Sequence, residues 1–581
     1  MQRLWIESEQ DFKLQDYISK TLQIDPLIAQ ILINRGIKTI EGIKDFLTAS
    51  LDELYNPFLL PDMKEAVERI GLAIKSGEKI LIYGDYDVDG VTATSLLYLF
   101  FKEIGYEASY YIPNRLRDGY GLREDAICRI KEQGINLLIT ADCGTTSHSA
   151  VKKAKDLGID VIVTDHHEPP QILPEAYAMI NPNRIDSAYP FNGLAGVGVA
   201  LKLAQGIYCC LNSSNNVGAY NYTPLHSPLE PMLYKYLDLV ALGTVADISS
   251  LTGENRKLVK EGLKLLSKAD RKGIAALKLV SNLDGSDVSV GTIGFTLAPR
   301  INAAGRLDEA NVGVMLLTTA SEEEAIKCAK ILDGKNRERQ MIEDKMLNEA
   351  IEMIDSKIDI KHTNAIVLSS DKWHQGVIGI IASKIVDRYY RPTILISVNK
   401  DGIGKGSARS IPGFHLYQGL SECQSYLEAF GGHKYAAGLS IRKENIDAFS
   451  KRINEIAASS LKKEDFIPKL YIDGGLNVKE LNFNLLKEIE RLEPFGVGNP
   501  EPVFAITDAE VLYPKIVGSN HLKFKLRQGN AGADAIGFNM GGFIDRLNDE
   551  KVDAAVTPKL NEWQGTLAVQ MKIKDIKFPG N

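Results

Sequence analysis

From about residue 77 to residue 170, short apolar runs alternate with amphipathic stretches. Lys79-Ile80-Leu81-Ile82-Tyr83 predicts a strand over 79–84. Val91 to Ile104, with Leu96, Leu97, Phe100 and Phe101 on one broad apolar face, predicts the helix that follows. A second strand over 135–140 precedes a helix through Val151 and Leu157, ended by Gly158, and a third strand runs over 159–164. This strand–helix–strand rhythm implies a mostly parallel sheet with helices on both faces. Residues 209–231, rich in Asn, Ser, Pro and Tyr, read as a long surface excursion. From Ser321 a helix is expected to about Ile358, opened by a Ser321/Glu324 capping box and bent or interrupted at Gly334. Such a helix would connect two lobes. The αβ pattern returns with a strand over 365–368, a helix over 377–389 and a strand over 393–398. After about residue 465 the runs become short and alternating, as in Leu522-Lys523-Phe524-Lys525-Leu526. They predict a small antiparallel barrel of the oligonucleotide-binding sort.

At 581 residues the chain is too long for one core, and 44% hydrophobic with 25% charged residues places it among globular proteins. No apolar stretch approaches the ~20 residues of a membrane span, and Met1 to Glu7 has no signal-peptide pattern. Six cysteines without a C-x-x-C pair argue against a disulfide scaffold, a zinc ribbon or a redox motif, so the cytoplasm is the expected compartment. A net charge of −7 argues against a bulk nucleic-acid coat but not a local one. Lys384, Arg388, Arg391, Lys400, Lys405 and Arg409 face only Asp387 and Asp401 in sequence, and Lys515, Lys523, Lys525 and Arg527 form a later basic run.

Acidic and histidine clusters follow the predicted strands. They are Asp85-Tyr86-Asp87-Val88-Asp89-Gly90, Asp142-Cys143-Gly144 and Asp165-His166-His167, and Asp247 follows the apolar stretch from Leu237 to Ala246. The first three lie at the carboxyl ends of strands, where open parallel sheets bind ligands. Carboxylates and imidazoles this dense need a positive partner, and a divalent pair supplies it. Mixed oxygen and nitrogen ligands with open positions suit manganese or magnesium better than structural zinc. The Asp-x-Asp-x-Asp-Gly order resembles a calcium loop, but its twelfth position is Leu96 and a strand precedes it. Tandem histidines are expected to point to opposite sides, with at most one on a given metal. Cys143 reads as a packed residue, and Asp247 alone could equally cap a helix. Gly193-Leu194-Ala195-Gly196-Val197-Gly198 lacks the strand and glycine order of a dinucleotide loop. Gly404-Lys405-Gly406-Ser407 lacks the first glycine of a phosphate loop, because residue 399 is Asn.

Taken together, these strings resemble the DHH phosphoesterase superfamily, named for the Asp165-His166-His167 pattern, and within it the RecJ family of single-strand-specific exonucleases. Further matching strings are Arg300-Ile301-Asn302-Ala303-Ala304-Gly305-Arg306-Leu307, Trp373-His374-x-Gly376-Val377-x-Gly379 and Gly431-Gly432-His433-x-x-Ala436-Ala437-Gly438. Glu493-Pro494-Phe495-Gly496-x-Gly498-Asn499-Pro500 is similar to the segment leading into that family's barrel. The resemblance covers nearly the whole chain. It implies an α/β multidomain fold with an N-terminal extension over 1–70 and a parallel-sheet DHH domain over 71–255. A helical connector over 256–358 with its long helix, a smaller α/β DHH-associated domain over 359–462 and an OB-like β-barrel over 463–581 follow.

The resemblance further implies two divalent cations, Mn2+ or Mg2+, with Asp142 bridging them. Asp87 would help hold one; Asp89, His166 and Asp247 would hold the other, with His167 placing phosphate or water. Related enzymes often carry a histidine at the position of Tyr83, and a phenol is a poor ligand at neutral pH. Either fewer protein groups hold the first ion here, or Asp85 compensates. The implied reaction is metal-assisted hydrolysis of single-stranded DNA from its 5′ end to 5′-mononucleotides, in recombinational and mismatch repair. Arg115, Tyr120, Arg300, Asn302, Arg306, Ser407 and Arg409 are the implied 5′-end contacts, and His433 either meets phosphate or braces its turn. Phe504, Tyr513, Phe524 and Trp563 are candidate stacking platforms or core. Implied partners are a single-strand-binding protein and a helicase, with no membrane and a monomeric state. Two alternatives share the fold: a phosphodiesterase for oligonucleotides or cyclic dinucleotides, and a non-catalytic DNA-binding scaffold.

Overall fold

The computed structural model describes residues 3–114, 121–212, 225–306, 311–547, 551–563 and 566–578. Strand β1 (Leu4–Glu7) belongs to a sheet completed only near the other end of the sequence. The first lobe holds β2 (Ile80–Gly84), β3 (Ser109–Tyr111), β4 (Leu137–Ala141), β5 (Asp160–Thr164) and β6 (Ala178–Ile180) in the order β3-β2-β4-β5-β6. Every pairing is parallel. Alternation along β2 explains the layering. Ile80 and Ile82 face one core with the helices Val88–Glu103, Gly196–Asn212 and Leu237–Ala246. Leu81 and Tyr83 face the opposite core with the helices Glu124–Glu132 and His148–Asp156.

The expected connector over 256–358 is mostly part of this lobe. Leu258, Ile274, Ile301, Val314 and Leu332 share one core with the sheet. Only the helix Glu322–Lys357 crosses over, and its 36 residues reach roughly 54 Å. Its later residues Met346, Ala350 and Ile354 join the core of the second lobe. Gly334 does not interrupt the helix, and the capping box closes by half. The Ser321 hydroxyl accepts from Glu324 N–H, while the Glu324 carboxylate takes the Thr319 hydroxyl. The helix after β2 begins at Val88 rather than Val91, because the Asp87 carboxylate accepts from Gly90 N–H and caps it. Cys209 and Cys210, expected in a surface excursion, are still helical. Of that excursion, residues 213–224 lie outside the described residues.

The second lobe contains β7 (Ile366–Ser370), β8 (Thr393–Val398), β9 (Ile403–Arg409), β10 (Leu427–Gly432) and β11 (Ala436–Arg442), ordered β10-β11-β9-β8-β7. Only β7 and β8 run parallel. The helix Ile378–Tyr389 covers one face.

The third unit joins segments far apart in sequence. β1 pairs in parallel with β12 (Lys469–Ile472), Leu4 opposite Lys469. After β13 (Gly474–Gly475), the strands β14 (Phe504–Val517), β15 (His521–Gln528), β16 (Ala531–Gly537), β17 (Lys551–Trp563) and β18 (Thr566–Lys577) form a barrel closed between β14 and β17. The barrel is not wholly antiparallel, because β16 meets β18 in parallel. Ile18, Ile28, Ile31, Leu32 and Phe46 of the N-terminal helices share its core. Phe504 and Phe524 are buried there, so they are core and not stacking platforms. Tyr513 is 79% exposed, and the Trp563 side chain lies outside the described residues. Arg256, 1% exposed, clamps this unit to the first lobe. Its Nε donates to Phe46 O at 3.0 Å, Nη1 to Leu492 O at 2.7 Å and Nη2 to Arg491 O at 3.1 Å.

Candidate metal centre and strand-binding site

The carboxyl edge of β2, β4 and β5 gathers the acidic clusters into three overlapping groups. Ligand atoms of Asp85, Asp87 and Asp142 lie within 4.8 Å of one another, as do those of Asp89, His166 and Asp247, and those of Asp142, His166 and His167. Asp142 is therefore common to two groups. It sits in the left-handed region at φ 65°, in the turn after β4. Its backbone N–H donates to Thr164 O at 3.0 Å, and the Thr140 hydroxyl fixes the same turn through Cys143 O at 2.6 Å.

Asp89 lies in the first turn of its helix, fully buried. Gly196 and Val197 N–H, at the start of another helix, donate to its two carboxylate oxygens at 2.6 and 2.8 Å. The glycine is required: a Cβ there would stand 2.6 Å from Asp142 Oδ1. The Gly193–Gly198 string thus holds Asp89 and not a dinucleotide, a role that its sequence did not show. Ser249 was missed as well; its hydroxyl donates to Asp247 Oδ2 at 2.6 Å. Asp247 closes the helix Leu237–Ala246 at its C-terminal end and caps no following helix.

The histidines divide the work without pointing to opposite sides, since their rings are 4.7 Å apart. His166 Nε2 lies 3.2 Å from Asp142 Oδ1, 3.7 Å from Asp89 Oδ2 and 3.9 Å from Asp247 Oδ2. His167 Nδ1 instead bonds Asp165 Oδ1 at 2.7 Å. Asp165, which gives the motif its first letter, also accepts from His166, His167 and Thr145 N–H. It orients the pair from behind.

Electrostatics make the cluster unstable by itself. Burial, with Asp247 and Asp87 nearby, raises Asp89 well above the usual carboxylate range, against the pull of Val197 and Gly196 N–H. Burial together with Asp89, Asp87 and Asp85 does the same to Asp142. Burial raises Asp247 although His166 opposes it, and burial lowers His166. His167 moves the other way: burial would lower it, but the hydrogen bond and charge of Asp165 push it up to about 9. Asp142 Oδ1 and His166 Nε2 are buried without a hydrogen-bond partner among the described residues. Two acceptors 3.2 Å apart, each without a donor, fit shared coordination of a cation.

Tyr83 is fully buried away from this edge, its hydroxyl donating to Gly121 O at 3.2 Å and its ring 5.5 Å from Tyr111. Asp85 occupies the first group in its place. Cys143 is buried, its thiol on Tyr83 O at 3.7 Å.

The remaining expected contacts have different partners. Arg300 pairs with Asp333 at 3.0 Å and donates to Thr296 O, and Asn302 Oδ1 accepts from Val88 N–H at 3.2 Å. Both brace the first lobe. Arg306 Nη1 reaches Gly376 O at 2.9 Å and ties the lobes together. Arg409 Nη1 lies 3.2 Å from Ser407 Oγ. Both side chains overlie the start of the helix Ile378–Tyr389, where a Cβ on Gly379 would stand 2.9 Å from Ser407 Oγ and 3.2 Å from Arg409 Nη2. A guanidinium and a hydroxyl over a helix N-terminus suit a phosphate. His433 is exposed, and its N–H closes a turn on Ala436 O at 2.8 Å. Arg115 and Tyr120 lie outside the described residues.

Comparison with known proteins agrees along the chain. The DHH family N-terminal domain matches residues 79–244, the DHHA1 domain 362–459 and the RecJ OB domain 472–575. The single-stranded-DNA-specific exonuclease RecJ of Bacillus subtilis (strain 168) is 40% identical over 562 residues, covering 96% of this chain and 69% of that protein. The RecJ of Escherichia coli (strain K12) is 34% identical over 565 residues, covering 95% and 96%. RecJ from Thermus thermophilus, solved with Mn2+, superposes with a TM-score of 0.83 at 29% identity, over 100% of this chain and 80% of that one. With the full-length match at this identity, the chain belongs to the RecJ family of DHH proteins.

Proposed function

We propose that this protein is a single-stranded-DNA-specific exonuclease that removes 5′-mononucleotides from the 5′ end with two divalent cations, Mn2+ or Mg2+. The observation that carries this reading is the sharing of Asp142 between two ligand groups, and on the second lobe a guanidinium and a hydroxyl over a helix N-terminus would take a phosphate. Asp85, Asp87 and Asp142 would hold one cation; Asp89, His166 and Asp247, again with Asp142, would hold the other. Cations held there would lower the pKa of a bound water and neutralise charge on the attacked phosphate. Gly196 and Val197 hold Asp89 in place, and Ser249 holds Asp247. Asp165 keeps the His167 ring beside the cluster, where it contacts phosphate or water. Ser407, Arg409 and the helix N-terminus grip the 5′ phosphate, so the scissile bond reaches the cluster one nucleotide at a time. Arg306 fixes the gap between the lobes, and the barrel holds the strand beyond.

In the same reading the enzyme is a cytoplasmic monomer serving recombinational and mismatch repair, with a helicase and a single-strand-binding protein supplying its substrate. These points rest on the family resemblance. No helix among the described residues is long and apolar enough to cross a membrane. The barrel favours long strands over the cyclic or short substrates of the alternative phosphodiesterase, and the intact ligand groups speak against a non-catalytic scaffold.

End-labelled single strands test the proposal. With Mn2+, a 5′ label should be released at once as mononucleotide while a 3′ label stays on shortening strands. Early release of mononucleotide from the 3′ label would overturn the polarity.

A further inference from the structure

A cavity of about 450 Å³ lies where the N-terminal helices, the helix Gly253–Lys268 and the segment leading into the barrel meet. It shares no residue with the cation cluster. Four cationic side chains line it, Arg35, Lys38, Arg256 and Lys257, against the single lining carboxylate Asp45. Lys257 is met by Asp45 at 2.6 Å and Arg35 by Asp473 at 3.5 Å. Arg256 and Lys38 have no carboxylate within ion-pair distance among the described residues. The three hydrogen bonds of Arg256 all go to neutral carbonyls, which solvate its charge without cancelling it. Burial, and then the neighbouring Arg35, bring the Arg256 guanidinium down to about 10, against the more distant charges of Asp45 and Glu493. Arg35 has its anion in Asp473, whereas Arg256 lies beside an open volume with no carboxylate paired to it among the described residues.

The other walls fit the same chemistry. Thr252 and Gly253 open a 16-residue helix whose N-cap side chain bonds no N–H of the first turn, so its positive end faces the cavity uncapped. Ile37 and Phe46 supply an apolar wall, with the Arg256 guanidinium 3.8 Å from the Phe46 ring centroid. A lone phosphate ion would leave most of the volume empty, whereas a nucleotide would set its base against that wall.

We propose that this cavity is a second phosphate site, one that takes the phosphate monoester of a free 5′-mononucleotide. That such a nucleotide is the enzyme's own product rests on the function proposed above; the binding itself does not. The site adjoins the catalytic centre along the chain. Ser250 and Thr252 share a hydrogen bond at 2.9 Å, Leu251 N–H donates to Val497 O at 2.7 Å, and Ser249 holds Asp247.

Equilibrium dialysis of the full chain with labelled 5′-dAMP in EDTA tests this without any catalysis. Lys38 is exposed at the rim, so its replacement should leave the fold intact. Lys38→Glu should weaken nucleotide binding at least about tenfold, and Lys38→Ala less, with the same sign. Arg409→Ala, which disables the 5′-end site, should leave that binding in place. Unchanged affinity in Lys38→Glu, or loss of all binding in Arg409→Ala, would overturn the site. Inorganic phosphate competing as tightly as dAMP would overturn the nucleotide as its occupant. A 5′-hydroxyl oligodeoxythymidylate displacing dAMP at lower nucleotide concentration would do the same in favour of a strand.

Discussion

Carboxylates wholly or partly buried in two parts of this molecule behave in opposite ways. In the barrel unit, Glu501 sits between Lys559 at 2.6 Å and Lys574 at 2.8 Å. Burial opposes its charge, but those two partners hold it down at about 2. In the first lobe, Asp89, Asp142 and Asp247 are pushed up, because burial and like charges find no lysine or arginine among the described residues to answer them. The barrel carboxylate completes itself within the protein. The cluster is complete only with cations, and that separates a structural ion pair from a binding site.

The sharpest way to break this contrast is Asp142→Asn. Asparagine keeps the shape and tolerates the left-handed backbone that Asp142 adopts. Losing several kcal/mol of charge stabilisation should lower exonuclease activity by roughly 10³-fold or more. In EDTA the same variant should melt at a higher temperature than the wild type, because one repelling charge is gone; a lower melting temperature would refute the contrast. Mn2+ should stabilise the wild type much more than the variant.

The pH dependence of that gain has a definite sign. A carboxyl raised in the fold weakens the folded state once pH exceeds its ordinary range. The advantage of Asp142→Asn in EDTA should therefore be present at pH 8 and shrink as acid protonates Asp142. Glu501 must do the reverse. Glu501→Gln should lose about 1 kcal/mol at pH 7, its lysines being partly exposed. That deficit should fade as pH drops from about 4.5 toward about 2. Urea unfolding of the three proteins at several pH values would check both signs.

The smallest expected effect concerns Tyr83. Tyr83→Phe removes one buried hydrogen bond and should lose about 1 kcal/mol or less, leaving the Mn2+ binding isotherm unchanged. A weakened isotherm would bring the phenol back into the metal site.

The sequence made the cluster legible for a simple reason: in a parallel sheet every strand end points to the same edge. Strand-then-acid spacing is therefore enough to assemble Asp85, Asp87, Asp89, Asp142 and His166. What escaped notice depends on contacts between distant segments. Nothing local marks Gly196 as the donor to Asp89, or Arg300 as the partner of Asp333. The alternation Leu81/Tyr83 against Ile80/Ile82 shows that Tyr83 faces away from the Ile82 side, but not which neighbours it meets. The apolar N-terminal helices read as an extension because their partners, Leu485, Leu486 and Phe504, lie more than 400 residues away.

That last pairing bears on synthesis. Leu4 finds its strand partner in Lys469 and Ile28 its core in the barrel. A ribosome adding ~5–20 residues each second keeps those helices waiting on the order of a minute. For that time their apolar faces are exposed while the catalytic lobe can already fold. A chain stopped after the second lobe would keep its cation ligands but leave a sticky leading segment, an expected target for chaperones and proteases.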